Sequence, residues 1–195
     1  IKVADRTDGG NGAWWVFDST RSFGTAIADV FLWNTTGAEL HDNSNLAIDF
    51  LDNGFQLKSS YDEINVNGGT YVYMAFAGGM DSISDYNDTG SIDSRVKANP
   101  TYGQSVVSYI GNNTAGATVG HGLGKTPNVF LIKNRTDNGS NWNVYHSGNT
   151  SAPETESIAL NSTASGFDSD TRWNDTLPTS TVFSIGISNQ VNGSS

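Results

Sequence analysis

Residues 117–147 read ATVGHGLGKTPNVFLIKNRTDNGSNWNVYHS. A glycine-rich turn, Gly120-His121-Gly122-Leu123-Gly124, closes on Lys125-Thr126-Pro127. The apolar run Val129-Phe130-Leu131-Ile132 follows, then a polar turn over residues 134–141, then Trp142-Asn143-Val144-Tyr145. Glycine reaches positive φ without steric cost, and proline cannot donate to a strand ladder, so the strand begins after Pro127. The segment predicts turn, strand, turn, strand, and the chain holds the pattern twice.

Working outward, Arg6-Thr7-Asp8, a Gly/Asn turn and Trp14-Trp15-Val16-Phe17-Asp18-Ser19 recur as Arg135-Thr136-Asp137, a Gly/Asn turn and Trp142-Asn143-Val144-Tyr145-His146-Ser147. Leu32-Trp33-Asn34-Thr35-Thr36 recurs as Ala159-Leu160-Asn161-Ser162-Thr163, and Val66-Asn67-Gly68-Gly69-Thr70 as Val191-Asn192-Gly193-Ser194-Ser195. Three anchors in one order point to a duplication. The second copy has the strand 129–132 before its Arg-Thr-Asp turn, whereas the first enters with Ile1-Lys2. The first copy ends with the run 70–77, which the second does not reach. The expected organisation is a first β repeat over 1–77 lacking its first strand, a polar connector over 78–104, and a second β repeat over 105–195 lacking its last strand. The expectation that follows is a native polypeptide continuing on each side, or neighbours that supply the missing strands.

The remaining strands follow from alternation. Residues 70–77 carry Tyr71, Tyr73, Ala75 and Ala77 on one face and Val72, Met74 and Phe76 on the other, which predicts a central strand buried on both sides. Residues 104–110, 157–160 and 181–187 are strand-like, the last with Phe183, Ile185 and Ile187 on one face. Asp52-Asn53-Gly54 is a hairpin turn signal. No segment sustains a helical period, so helices should be few and short.

Composition narrows the function classes. The 195 residues are 36% hydrophobic and 15% charged, with a formal net charge of −10. Phosphate neutralisation needs clustered Lys and Arg, so the charge argues against nucleic acid as a partner. No run has the apolar length of a membrane-spanning helix, so no membrane insertion is expected. The absence of cysteine removes disulfides and thiolate metal sites.

Candidate chemistry is sparse. Gly124-Lys125-Thr126 fits the end of a phosphate loop, but Val119 stands where the first glycine belongs and Pro127 where the helix should start. His41, His121 and His146 lack ligand spacing, so no metal is expected. The stretch 85–90, Asp-Tyr-Asn-Asp-Thr-Gly, opens like a calcium loop but places Val96 at its twelfth position. No nucleophile elbow is present, and spacing in a β-fold places no carboxylate pair for glycoside hydrolysis. No cofactor is expected, and the chain reads as a non-enzyme. Five Trp and seven Tyr suit sugar stacking. Trp142 recurs in the duplicated strand and is read as core. Trp33 and Trp173 are read as surface residues and, with Asn174 and Asp175, are the candidate ligand-binding residues.

Residues 121–146, with His-Gly-Leu-Gly-x-x-Pro, then Phe-Leu-Ile-Lys-Asn-Arg, then Trp-x-Val-Tyr-His, resemble a segment of tailed-phage virion proteins of the marine and cyanobacterial type. Residues 173–184, Trp-Asn-Asp-Thr-Leu-Pro-Thr-Ser-Thr-Val-Phe-Ser, resemble the same family, as do Asp18-Ser19-Thr20-Arg21 and residues 52–57. The strands and the duplication together predict an all-β chain of duplicated antiparallel β-sandwich, jelly-roll-like units: two similar sandwich units, or one jelly-roll-like sandwich built from the two copies. The resemblance implies a structural or adhesive module of a tail fibre, spike or capsid-surface fibre, located on the virion surface or extracellular. The expected partners are itself, as a homo-oligomer with a trimer the favoured form, other virion proteins, and host-surface glycans. The alternatives are a cellular carbohydrate-binding or surface-adhesion module and a glycan-degrading enzyme.

Overall fold

The computed structural model describes residues 2–5, 12–22, 28–41, 44–77 and 85–194. The first copy's Arg-Thr-Asp turn at 6–8 and the start of the expected connector, 78–84, lie outside them. As alternation and turn chemistry predict, the chain is antiparallel all-β, and its helices are single turns.

The first segment runs β1 (Lys2–Asp5), β2 (Trp15–Val16), β3 (Phe31–Leu32), a 3-10 turn at Ser44–Leu46, β4 (Ile48–Leu51), β5 (Gly54–Leu57), α1 (Asp62–Asn65) and β6 (Tyr71–Met74). Its main sheet has the order β3-β2-β1-β6, and β4–β5 is the hairpin expected at Asp52-Asn53-Gly54, with Asp52-Asn53 as its turn and Gly54 already paired with Leu51. Phe17, Val30, Leu46, Ile48 and Ile64 close its core.

The second segment runs β7 (Asp85–Asn87), β8 (Ser94–Asn99), β9 (Gln104–Tyr109), β10 (Ala117–Gly120), β11 (Val129–Ile132), β12 (Asn143–His146), β13 (Glu156–Ala159), β14 (Phe167–Asp168), α2 (Asp170–Trp173), β15 (Val182–Ile185) and α3 (Asn189–Asn192). Its sheets are β7-β8-β9, β10-β15 and β11-β12-β13-β14. Gly122 and Gly124 take φ of +69° and +67°, as the glycine-rich turn requires, and β11 starts two residues after Pro127. Val119, Tyr145, Trp173, Phe183 and Ile185 fill the core.

The same local geometry recurs in both segments. Trp14 N–H donates to Asn34 Oδ1 (3.1 Å) and Trp33 N–H to Trp14 O (3.0 Å). In the second segment Trp142 N–H donates to Asn161 Oδ1 (2.8 Å) and Leu160 N–H to Trp142 O (3.0 Å). The Asn65 side-chain amide donates to Ser59 O at 2.7 Å, and that of Asn192 to Gly186 O at 2.9 Å, each reaching back the same distance along the chain. Ile64 and Val191, one residue earlier in each case, are both buried. The third anchor therefore joins Ile64-Asn65 to Val191-Asn192, two residues from the match that sequence identity favoured. In this register Leu46 corresponds to Trp173, each a buried side chain ending a short helical turn.

Three expectations are corrected. The first segment does have its first strand. β1 pairs Val3 with Trp15 as β11 pairs Ile132 with Asn143, and Trp15 and Asn143 each follow the matched tryptophan. Residues 70–77 do not form a central buried strand. β6 lies at the sheet edge, with Val72, Tyr73, Met74 and Phe76 42–67% exposed. An apolar pattern reports what a strand can bury against, and among the described residues no strand pairs the outer edge of β6. Finally, most of the expected connector is structured: β8 is the middle strand of its sheet, Ile92 and Val96 are buried, and Ile92 bridges Val119. One large apolar side chain, Val96, alternating with Arg95 and Lys97, suffices when Ser94 occupies the other inward position.

Candidate functional site

The two segments meet where residues 31–40 lie against 133–142. Trp142 donates its indole N–H to Leu32 O (3.0 Å) and meets the rings of Phe31 and Trp33 edge-on at 5.2 and 6.2 Å. It is buried as expected, at the junction. Lys133 Nζ donates to Thr36 O (3.1 Å) and Ser140 O (3.0 Å), and its burial lowers the pKa of its ammonium. Ala38 N–H reaches Asn138 Oδ1 at 3.0 Å.

At the centre is Glu39, whose side chain has no exposed surface. Its Oε1 pairs with Arg21, and its Oε2 accepts from Arg135 Nε (2.6 Å) beside Arg135 Nη2 (2.5 Å). Arg21 also pairs with Asp18 Oδ2 (2.5 Å), donates to Val16 O (3.1 Å) and lies over the Phe31 ring at 4.5 Å. A buried carboxylate persists only when fully partnered, and Glu39 is held from both segments. Ligand atoms of Asp29, Glu39 and His41 lie within 4.8 Å of one another, the spacing of a metal site. Both Glu39 oxygens are already committed to guanidinium groups, whose charge repels a divalent ion. The cluster is an ionic lock between segments. Sequence reading missed it because Glu39 stands in a polar stretch without periodicity, and its partners are 18 and 96 residues away.

The predicted binding residues separate. Trp33 is half-buried in the junction. Trp173, expected at the surface, is fully buried: its indole N–H donates to Glu156 O (2.8 Å) and its ring packs against Phe130 at 5.0 Å and Tyr145 at 6.4 Å. The correction has a simple cause, since a polar flank of Asn and Asp marks the turn after α2 and says nothing of where the tryptophan points. Asn174 caps α2 at φ +53°, its N–H donating to Asp170 O (2.9 Å), and Asp175 follows at φ +44°, exposed. The most exposed aromatics among the described residues are instead Tyr73, Phe76, Tyr86 and Tyr102, the last in the β8–β9 turn and 76% exposed.

His121, in the glycine-rich turn, is also structural. Its Nδ1 accepts from Leu123 N–H (3.2 Å) and its Nε2 faces Thr179 O at 3.3 Å. This pattern holds the neutral imidazole, and burial lowers its pKa. The stretch 85–90 is strand β7 and the turn after it, where Asn87 Oδ1 accepts from Thr89 N–H at 2.9 Å.

Beside the junction lies a cleft of about 1820 Å³ between the segments. Phe55, Tyr73 and Phe76 line it from the first segment, and Val106, Val129 and Leu131 from the second.

A family model described as a domain of unknown function (DUF7483) matches residues 1–79 and 81–195. No curated protein and no solved structure matches the chain. The chain belongs to the DUF7483 family.

Proposed function

We propose that this DUF7483 member is a structural or adhesive module of a phage virion appendage, a tail fibre, spike or capsid-surface fibre, and that it presents its loops to host-surface glycans. The observation that carries the reading is the pair of matching β segments fixed to each other by the buried Glu39 lock, with exposed aromatics held on hairpins outside it. A rigid tandem array is what an appendage requires, and a ring such as Tyr102 on a polar turn offers a stacking face to a sugar. The acidic balance, net −10, favours solubility at high copy number. The resemblance of residues 121–146 and 173–184 to tailed-phage virion proteins supports the same reading. Self-assembly as a trimer and attachment to other virion proteins belong to this proposal.

The test is immunogold labelling of purified particles whose genome encodes the chain, with antibody raised against it. Label on an appendage is the expected result. Particles without label, and label confined to host-cell debris, would overturn the reading in favour of a cellular adhesion module. Glycan binding is measured separately with Tyr102→Ala, which should weaken binding and leave the melting temperature unchanged.

A further inference from the structure

We infer that the outer edge of β11 is an acceptor for an added β-strand of the chemistry that residues 70–77 supply to β1. The inference rests on geometry and is independent of the virion reading.

Antiparallel pairs alternate between hydrogen-bonded and non-bonded positions, so one assigned bond fixes the rest of a strand. Ser147 N–H donates to Asn128 O at 2.8 Å, which marks that pair as bonded. Two and four residues on, Phe130 and Ile132 therefore bond β12 through Tyr145 and Asn143. The backbone groups of Val129, Leu131 and Lys133 point the other way. No strand faces them among the described residues, since β11 ends its sheet.

The first segment shows what fits there. Trp33 N–H bonds Trp14 O, so Trp14 addresses β3 and Trp15 addresses β1 through Val3. Lys2 and Ala4 then turn to β6, opposite Met74 and Val72. By the matched register Lys2 corresponds to Leu131 and Ala4 to Lys133. The groups that β1 offers to β6 are thus the groups that β11 offers to the cleft, whose wall includes Val129, Leu131 and Lys133. The apolar side chains there are open to solvent, Val129 at 44% and Leu131 at 38%. An unpaired edge with exposed apolar flanks is a template for strand addition. The occupant that fits is an extended segment apolar on both faces, like Tyr71-Val72-Tyr73-Met74, supplied by a further repeat. It would lie antiparallel to β11, with its Met74 equivalent opposite Leu131 and its Val72 equivalent opposite Lys133.

The experiment uses the full chain, isotopically labelled, and a synthetic peptide of residues 68–77 flanked by lysines. Hydrogen exchange is followed by NMR. The expected result is slowing of about tenfold or more at the Leu131 and Lys133 amides, with no slowing by the Val72→Pro peptide, which lacks the N–H that faces Lys133. Register is read covalently, because the chain has no cysteine. With a thiol oxidant such as diamide added to take up the two electrons and two protons, a Met74→Cys peptide should form a disulfide with the Leu131→Cys chain faster than a Tyr73→Cys peptide does. Unchanged exchange with saturating peptide, or equal slowing by the proline peptide, would overturn the inference. Protection of Leu131 and Lys133 that rises with chain concentration before any peptide is added would overturn the assignment to a separate strand and make the occupant a second copy.

Discussion

Strands β1 and β11 hold matching places in the two segments, yet among the described residues β1 is flanked by β2 and β6 while β11 is flanked by β12 alone. The two address their inner partners in the same register and differ only at the outer edge. Equal local chemistry has therefore produced equal hairpins and unequal completion. The hairpin is decided by residues near in sequence, through the bonds of Trp14 with Trp33 and Asn34 and of Trp142 with Leu160 and Asn161. The outer edge is decided by a strand more than 60 residues from β1 in the chain, so it is where two like segments can part.

The cores offer the strongest way to test the equivalence. Leu46 and Trp173 are matched and fully buried. Trp173→Ala should cost about 3–5 kcal/mol and Leu46→Ala about 2–5 kcal/mol. If the junction couples the segments, either change lowers a single thermal transition. Two separated transitions, with only the mutated segment shifted, would show independent folding. The lock itself comes next. Glu39→Ala leaves Arg21 with Asp18 as its carboxylate partner and should cost about 3 kcal/mol, the lower end for a broken buried pair because Asp18 remains and Arg135 is one-third exposed. At about 2–4 °C per kcal/mol, scanning calorimetry should show a fall of roughly 6–12 °C and loss of coupling between the segments.

A smaller effect separates the glycine-rich turn of the second segment from anything in the first. His121 is held neutral, with its folded pKa below the ordinary value. The unfolded chain then binds the proton first as pH falls, so stability declines below about 6.5 and continues to fall until the folded pKa is passed. His121→Gln should be less stable at pH 8 and show a shallower decline of melting temperature between pH 7 and 5. An unchanged slope would mean that His121 is not held neutral. Smallest of all, Tyr73→Ala on the exposed edge should move stability by less than about 1 kcal/mol, mostly through lost contact with Phe55. A larger loss in urea titration would mean that β6 is covered in the isolated chain.

Much of this was legible in the sequence. The turn at 120–127, strands β11, β12 and β15, the hairpin at 48–57 and the recurrence of the tryptophan strand follow from glycine, proline, turn residues and alternation, which act over a few residues. Partners far apart in the chain were not legible. Residues 70–77 read as buried because both faces are apolar, and the missing neighbour carries no local mark. Trp173 read as exposed because its neighbours are polar, although their polarity serves the αL turn at Asn174. Glu39 gave no signal, since a buried ion pair is written in residues 18 and 96 positions away. Strand β8 was hidden by having a single large apolar side chain, and the third repeat anchor was set two residues off because Val-Asn-Gly identity outweighed the buried Ile64-Asn65 geometry.

The most direct test of the contrast between β1 and β11 is native-state amide exchange within β11 itself, in dilute chain without peptide. The account predicts alternation along one strand: Phe130 and Ile132, bonded to β12, exchange slowly, and Leu131 and Lys133, facing the cleft, exchange fast, while Ala4, the counterpart of Lys133, is protected by β6. Uniform protection from Phe130 to Lys133 would contradict it, because the outer edge of β11 would then be paired as β1 is.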